Sequence, residues 1–272
     1  MGSTDTDRVF EGSVPELYDT YLVPLIFEPY ALDLAKRVSV RPVAKVLEIA
    51  AGTGVVTRAL ASLLPARASI VATDLNQGMV DRAAAVGTTR PVEWHRADAM
   101  RLPFDAGTFD AVICQFGVMF FPDKPKAFAE ARRVLRPGGV FIFNSWDRIS
   151  ENEFADTVTT SLESLFPDDP PRFLERTPHG YHDIRTIERD LVAGGFTSDP
   201  VAETITRRSE AASSRIPAMA YCQGTPLRNE IEARDPSLLG HATDIAAEAV
   251  ARRFGQGRID GKIQAHVVTV ER

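Results

Sequence analysis

The chain has 272 residues, 44% of them hydrophobic and 25% charged, and a formal net charge of −6. That is enough for one large domain with an embellishment, and the mildly acidic balance argues against a broad electrostatic grip on nucleic acid. No apolar run approaches the ~20 residues that cross a bilayer, the polar start MGSTDTDRV carries no signal-peptide core, and two isolated cysteines, Cys114 and Cys222, suit a reducing, cytoplasmic setting.

Residues 8–38 come first, rich in aromatic and apolar side chains and interrupted by Pro15, Pro24 and Pro29. Such a segment is expected to fold as short helices over a crevice rather than stay in solvent. Tyr18 and Tyr21 are three apart, on nearly one helix face. They serve either to close over a ligand or simply to pack.

VLEIAAGTG, 46–54, reads as a buried strand running into a glycine turn. Glu48 stands near the strand end, and Gly52 and Gly54 allow a sharp turn and a close approach to a ligand. VVTRALASLL, 55–64, continues as an amphipathic helix. Strand, glycine turn and helix make a nucleotide-type crevice. SIVATDL, 69–75, is a second strand ending in Asp74, about 20 residues past the glycines, where a carboxylate can accept from both hydroxyls of a ribose. VEWHRADAMRLPF, 92–104, gives a third strand and then Asp98, placed to accept from an exocyclic amine such as that of adenine. FDAVICQFGVMFF, 109–121, is a fourth apolar strand ending near Gln115; a helix over 122–135 stops at RPGG, 136–139; VFIFNSW, 140–146, is the fifth strand. This alternation of strands and helices predicts an α/β fold, a doubly wound, mostly parallel sheet.

Together LEIAAGTG (47–54), ATDLN (72–76), ADAMRLPF (97–104), FDAVICQFGVMFFPD (109–123) and RRVLRPGG (132–139) resemble the class I S-adenosylmethionine (SAM)-dependent methyltransferases. The likeness is to the small-molecule branch that includes the ubiquinone/menaquinone C-methyltransferases. The resemblance implies a seven-stranded Rossmann-like sheet whose last strand is antiparallel, with SAM as methyl donor and S-adenosylhomocysteine as product. It implies that Glu48 and the backbone of Ala50, Ala51, Gly52, Thr53 and Gly54 hold the methionine end, and that Asp74 holds the ribose. Asp98 and Ala99 would then address the adenine, with Leu75 and Met100 as its apolar walls. Gln115 would lie near the methionine part and Tyr21 over the cofactor. The family usually has Gly at position 50, where this chain has Ala; the added methyl is expected to tighten the turn. A nicotinamide dinucleotide site is the rival reading, but its G-x-G-x-x-G fingerprint would need a glycine where Thr57 stands.

The remainder resembles the family in outline. DIRTIERDLVAGGF, 183–196, reads as a helix closed by Gly194–Gly195, and PVAETITRR, 200–208, and KIQAHVVTVER, 262–272, as the last two strands, which pair in the resembled fold. The expected organisation is a cap segment over 1–38 and a methyltransferase domain over 39–272. Lid insertions at 147–182 and 209–261 belong to that domain and form a helical lid where substrate selection sits. Within the second insertion, 242–254 shows a helical stripe of Ile245, Ala249, Val250 and Phe254. Tyr18, Trp146, His179, Tyr181 and Tyr221, with Cys222 and Gln223, are candidates for the acceptor pocket. His182 is the candidate base for an oxygen or carbon acceptor, its alternative being a capping or packing role in the lid. His95 and His266 fall on strands and His241 before a helix, and no metal-ligand spacing appears. The expected function is methylation of a small molecule, at oxygen or carbon. Base-free methylation of nitrogen or sulfur, and a SAM-binding regulator without turnover, are the alternatives.

Overall fold

A computed structural model describes residues 5–8, 12 and 14–272; residues 1–4, 9–11 and 13 of the expected cap segment lie outside the described residues. In chain order the chain forms α1 (Val14–Leu17), a π-helix (Tyr18–Phe27), α2 (Glu28–Ser39), β1 (Lys45–Ile49), α3 (Val55–Leu63), β2 (Ser69–Asp74), α4 (Gln77–Val86), β3 (Glu93–Arg96) and β4 (Phe109–Gln115). Then follow α5 (Lys124–Val134), β5 (Leu135–Trp146), α6 (Glu153–Ser161), α7 (Phe173–Arg176), α8 (Ile184–Ala193), β6 (Val201–Ala211), α9 (Arg215–Gln223), α10 (Leu227–Arg234), α11 (Leu239–Phe254) and β7 (Ile259–Glu271). The strands form one seven-stranded sheet in the order β3-β2-β1-β4-β5-β7-β6.

β1 through β5 pair in parallel. β7 is antiparallel to both neighbours: bonds from Gly138 to Arg272 and from Asp147 to Gln264 set it against β5, and Thr204–His266 and Thr206–Gln264 set it against β6. The buried inner strands β1 and β4 are the near-continuous apolar runs that a sheet covered on both faces requires.

The chain divides into two compact units. The sheet unit comprises 28–145, 182–204 and 266–272. Within it α2 packs on α3 and α5 on α8, and Phe128, Phe141, Phe143 and Phe196 make a contiguous aromatic core with centroids 4.8–6.1 Å apart. α5 ends at Val134, next to the expected stop at RPGG, but that segment is not a loop. β5 starts at Leu135 and runs through it, because Gly138 N–H donates to the Arg272 carbonyl and Arg272 N–H to that of Gly139. Arg136 is pinned to the buried Asp110 at 2.5 Å, and the register shifts between Phe109 and Ala111, as at a β-bulge.

The helical unit comprises residues up to Phe27, then 146–181 and 205–265. Its N-terminal run forms short helical stretches as expected, α1 followed directly by the π-helix. Pro24 removes a donor and crowds the preceding turn, and the chain widens into a π-helix over Tyr18–Phe27 instead of stopping. The wider turn takes Tyr18 and Tyr21 off the shared face that an α-helix would give them; Tyr18 stacks on Phe27 at 5.0 Å. α11 packs on α9 and α6. Its buried stripe is Ala242, Thr243, Ala246 and Val250, so the small residues face inward and Ile245 and Ala249 flank the contact. An ion-pair cluster ties the N-terminal segment to this unit: Arg176 bonds Asp7 and Glu230, and Thr177 Oγ1 donates to Asp7.

Candidate active site

The site is built at the carboxyl ends of β1 to β4. β1 delivers Glu48, which is 1% exposed, and the chain then turns through three left-handed residues, Ala50 (φ 52°), Gly52 (φ 56°) and Gly54 (φ 83°). Gly54 is doubly constrained, since an added Cβ would also lie 2.8 Å from the Trp94 ring. Ala50 adopts a backbone conformation that costs an L-residue roughly 1–2 kcal/mol. The loop is held from β2, where Asp74 Oδ2 accepts from Gly52 N–H at 2.9 Å and Oδ1 from Asn76 N–H at 2.8 Å. Burial pushes the Asp74 carboxyl up and these bonds oppose it. Burial also raises Glu48, to about 8, against the Thr57 hydroxyl that donates to it. Where the dinucleotide fingerprint requires glycine, Thr57 thus makes a side-chain bond that glycine cannot.

Leu75 and Asp98 follow the neighbouring ends of β2 and β3, tied by Ala97 N–H to the Asp74 carbonyl at 2.9 Å. Asp98 Oδ1 accepts from Met100 N–H at 2.8 Å, closing its own turn. Leu75 is exposed, Met100 half-buried and Ala99 buried. At the tip of β4, Gln115 is buried and pairs in register with Asn144 of β5. Phe116 is a second non-glycine residue in the left-handed region, at φ 50°. Its N–H donates to Asn144 Oδ1 at 2.8 Å. A Cβ on Gly117 would fall 2.5 Å from that of Ala50 and 2.6 Å from Cys114 Sγ, so the tips of β1 and β4 meet where the strand order reverses. The two non-glycine residues in the left-handed region, Ala50 and Phe116, both stand at that point.

The methyltransferase-domain family matches residues 47–143, which hold all of these side chains except Asn144. The chain is 34% identical over 173 residues to the demethylmenaquinone methyltransferase of Clavibacter sepedonicus, covering 59% of this chain and 69% of that protein. The chain belongs to the class I SAM-dependent methyltransferases. It is also 31% identical over 170 residues to the ubiquinone/menaquinone biosynthesis C-methyltransferase of Ectopseudomonas mendocina, covering 58% of this chain and 66% of that one. Matches to relatives of that name span from 53% to 66% of their length for the first two. Among solved structures, the YcgJ protein of Bacillus subtilis has the same fold, with a TM-score of 0.57 at 18% identity over 90% of this chain and 99% of that one.

The methyl donor of this family, SAM, fits the loop on two independent observations. Thr53 Oγ1 and Asn144 Nδ2 are buried and lack a hydrogen-bond partner among the described residues, as donor-side groups awaiting a polar ligand would. The glycine turn also opens onto the amino end of α3, whose cap position Gly54 supplies no side-chain bond. Local sequence pattern assigns no site role to Asn144, Phe116 or Asn76, and marks Thr57 only as the missing glycine of a dinucleotide fingerprint. The one available signal was Asn144, a lone amide inside the apolar run VFIFNSW.

The remaining candidates fall in the helical unit, His182 excepted. Trp146 ends β5 and is buried, 6.2 Å from Phe27 and 6.0 Å from the His179 ring. His179, Tyr181 and Tyr221 are buried, and burial raises the Tyr221 hydroxyl. Tyr21 is half-buried on the π-helix. Cys222 is buried and Gln223 Nε2 donates to Thr243 Oγ1 at 3.0 Å. His182 belongs to the sheet unit and is half-buried. The cap of α8 beside it is Asp183, which accepts from Arg185 N–H. His266 bonds Thr204 at 2.9 Å, His95 faces Glu93 at an exposed sheet edge, and His241 is exposed on α11. Among the described residues no group of three metal-ligating side chains converges, and no helix is long and apolar enough to cross a membrane.

Proposed function

We propose that the chain transfers a methyl group from SAM to a small-molecule acceptor, with oxygen or carbon as the accepting atom. The observation that carries the reading is the β1 turn. Three left-handed residues and the buried Thr53 hydroxyl stand beside a carboxylate, Asp74, that already fixes the turn through Gly52. When bound, SAM supplies an activated methyl on sulfur and leaves as S-adenosylhomocysteine.

The chain's own residues would then act as follows. The 50–54 backbone and Thr53 hold the methionine end, with Glu48 beneath the turn. Asp74 accepts from the ribose hydroxyls through lone pairs not used by Gly52 and Asn76. Asp98 and the Ala99 backbone address the adenine, between Leu75 and Met100. Gln115 and Asn144 face the methionine part. We place acceptor selection in the segments 8–38, 147–182 and 209–261, with Tyr18, Trp146, His179, Tyr181 and Tyr221 as contacts and Tyr21 on the cofactor; the latter two segments leave the carboxyl ends of β5 and β6, where α/β sheets bind ligands. Catalysis of this kind rests on holding the acceptor in line and excluding water. The names of the two relatives, a C-methyltransferase and a demethylmenaquinone methyltransferase, favour a carbon or hydroxylated acceptor over an amine.

Methyl-labelled SAM offered with phenols, carbon acids, amines and thiols tests the reading. Labelled product from a phenol or carbon acid is expected. Label confined to an amine or thiol would move the acceptor atom to nitrogen or sulfur. SAM binding without product from any class would make the chain a SAM-dependent regulator.

A further inference from the structure

We propose that Asn144 is a specificity-determining residue of the SAM site: its side-chain nitrogen donates to the carboxylate of the methionine end, so that the chain reads the amino acid as well as the nucleoside. This rests on the placement of SAM given above. Asn144 lies at the tip of β5 and is 0% exposed. Its Oδ1 accepts from Phe116 N–H at 2.8 Å. A backbone N–H can only donate, so the end of the amide that meets Phe116 is the oxygen. The other end is therefore Nδ2, a donor, and it has no partner among the described residues.

A buried N–H without an acceptor is costly, and native structures keep few of them. Holding Phe116 uses only the oxygen, which leaves the nitrogen for a second task. The place of Asn144 in the sheet is an independent observation. It pairs in register with Gln115. Phe116, which it holds, precedes Gly117, where an added Cβ would fall 2.5 Å from that of Ala50. The amide is thus tied through the β4 tip to the turn after β1, at the point where the strand order reverses. On that turn Thr53 Oγ1 is likewise buried and without a partner among the described residues. All of these residues belong to the sheet unit.

Hydrogen-bond chemistry selects the group that Nδ2 takes. An amide nitrogen offers only N–H and needs an acceptor. The ammonium of SAM carries only donors. The ribose hydroxyls are placed with Asp74 at the end of β2, and the adenine with Asp98 beyond β3. In the order β3-β2-β1-β4-β5 the end of β3 is four strands from Asn144, ~19 Å at about 4.8 Å per strand, which no asparagine side chain spans. The carboxylate is the acceptor that remains, and a hydrogen bond to an ionised acceptor is of the stronger kind. One amide then holds the β4 tip with its oxygen and the ligand with its nitrogen.

Calorimetry on the full chain compares S-adenosylhomocysteine with S-adenosyl-3-thiopropylamine, the same molecule without its carboxylate. The wild type is expected to bind S-adenosylhomocysteine about 10–100-fold more tightly, the scale of a hydrogen bond to a charged group. In Asn144→Ala that preference is expected to vanish, with affinity for the truncated ligand kept within about threefold. Equal wild-type affinity for the two ligands would overturn the assignment, as would a preference that survives Asn144→Ala. An equal loss for both ligands would also overturn it, because the amide would then act only by holding Phe116. If Asn144→Ala fails to fold, wild-type protein labelled with nitrogen-15 asparagine decides. Its Asn144 side-chain amide protons are expected to move downfield with S-adenosylhomocysteine and not with the truncated ligand, and equal shifts would overturn the assignment. A wild type that binds neither SAM nor S-adenosylhomocysteine would instead refute the SAM site on which it rests.

Discussion

The meeting of the β1 and β4 tips can be tested by a double-mutant cycle at Ala50 and Gly117. Gly117→Ala puts a methyl 2.5 Å from Ala50 Cβ and 2.6 Å from Cys114 Sγ. Neither neighbour can swing aside: one is a methyl fixed to its backbone and the other a buried thiol. Overpacking typically costs 1–3 kcal/mol, and two rigid neighbours place this substitution near ~3 kcal/mol. Ala50→Gly acts in the opposite direction. It releases roughly 1–2 kcal/mol of left-handed cost and gives back roughly 0.5–1 kcal/mol in chain entropy, a net stabilisation of about 0–1.5 kcal/mol. In the double variant one of the two close contacts is gone, so Gly117→Ala is expected to cost about half as much, a coupling of about 1–1.5 kcal/mol. Urea unfolding of the four proteins reads these values, and calorimetry with S-adenosylhomocysteine follows the site. Additivity within about 0.3 kcal/mol, or a destabilising Ala50→Gly, would refute the geometry of the turn.

Three further outcomes follow from single side chains. Glu48 has a folded-state pKa of about 8 against an ordinary 4.5. Its contribution is therefore complete below pH ~4.5 and is lost as the pH rises through about 8; ligand-free Glu48→Gln should out-melt the wild type at pH 8 and converge with it toward pH 5, and parallel melting curves at both pH values would contradict the neutral buried acid. Asp74→Ala should weaken S-adenosylhomocysteine binding by about 1–3 kcal/mol, the scale for hydrogen bonds to a charged group, measured by calorimetry; unchanged affinity removes Asp74 from the ribose. Arg176→Met strips the buried Asp7 of its arginine. The partly exposed arginine sets the loss at about 3 kcal/mol, the lower end for a broken buried pair. Limited proteolysis should then cut the N-terminal segment first, and wild-type resistance would show that the cluster does not hold it.

The sheet was legible because its inner strands are apolar runs and because each strand's end carries a distinctive residue: Glu48, Asp74, Asp98 and Gln115 can be placed from local pattern alone. What escaped was non-local. RPGG looks like a stop, yet its backbone is paired by Arg272 at the far end of the chain. Asn144 fixes Phe116 across a separation of 28 residues, a bond no window of sequence contains. Pro24 signals a break, but a proline can be absorbed by a wider helical turn when its flanks are buried, as Leu22, Val23, Leu25 and Ile26 are. Of the α11 stripe expected from Ile245, Ala249, Val250 and Phe254, Val250 is buried, and close helix contact otherwise selects Ala242, Thr243 and Ala246.

The central claim is that the turn after β1 and the carboxylate of Asp74 form a SAM site. A calorimetric titration of the wild-type chain with SAM, S-adenosylhomocysteine and NADH tests it most directly. Both SAM compounds are expected to bind at one site per chain, with no comparable affinity for NADH. Tighter binding of NADH than of either SAM compound would contradict it.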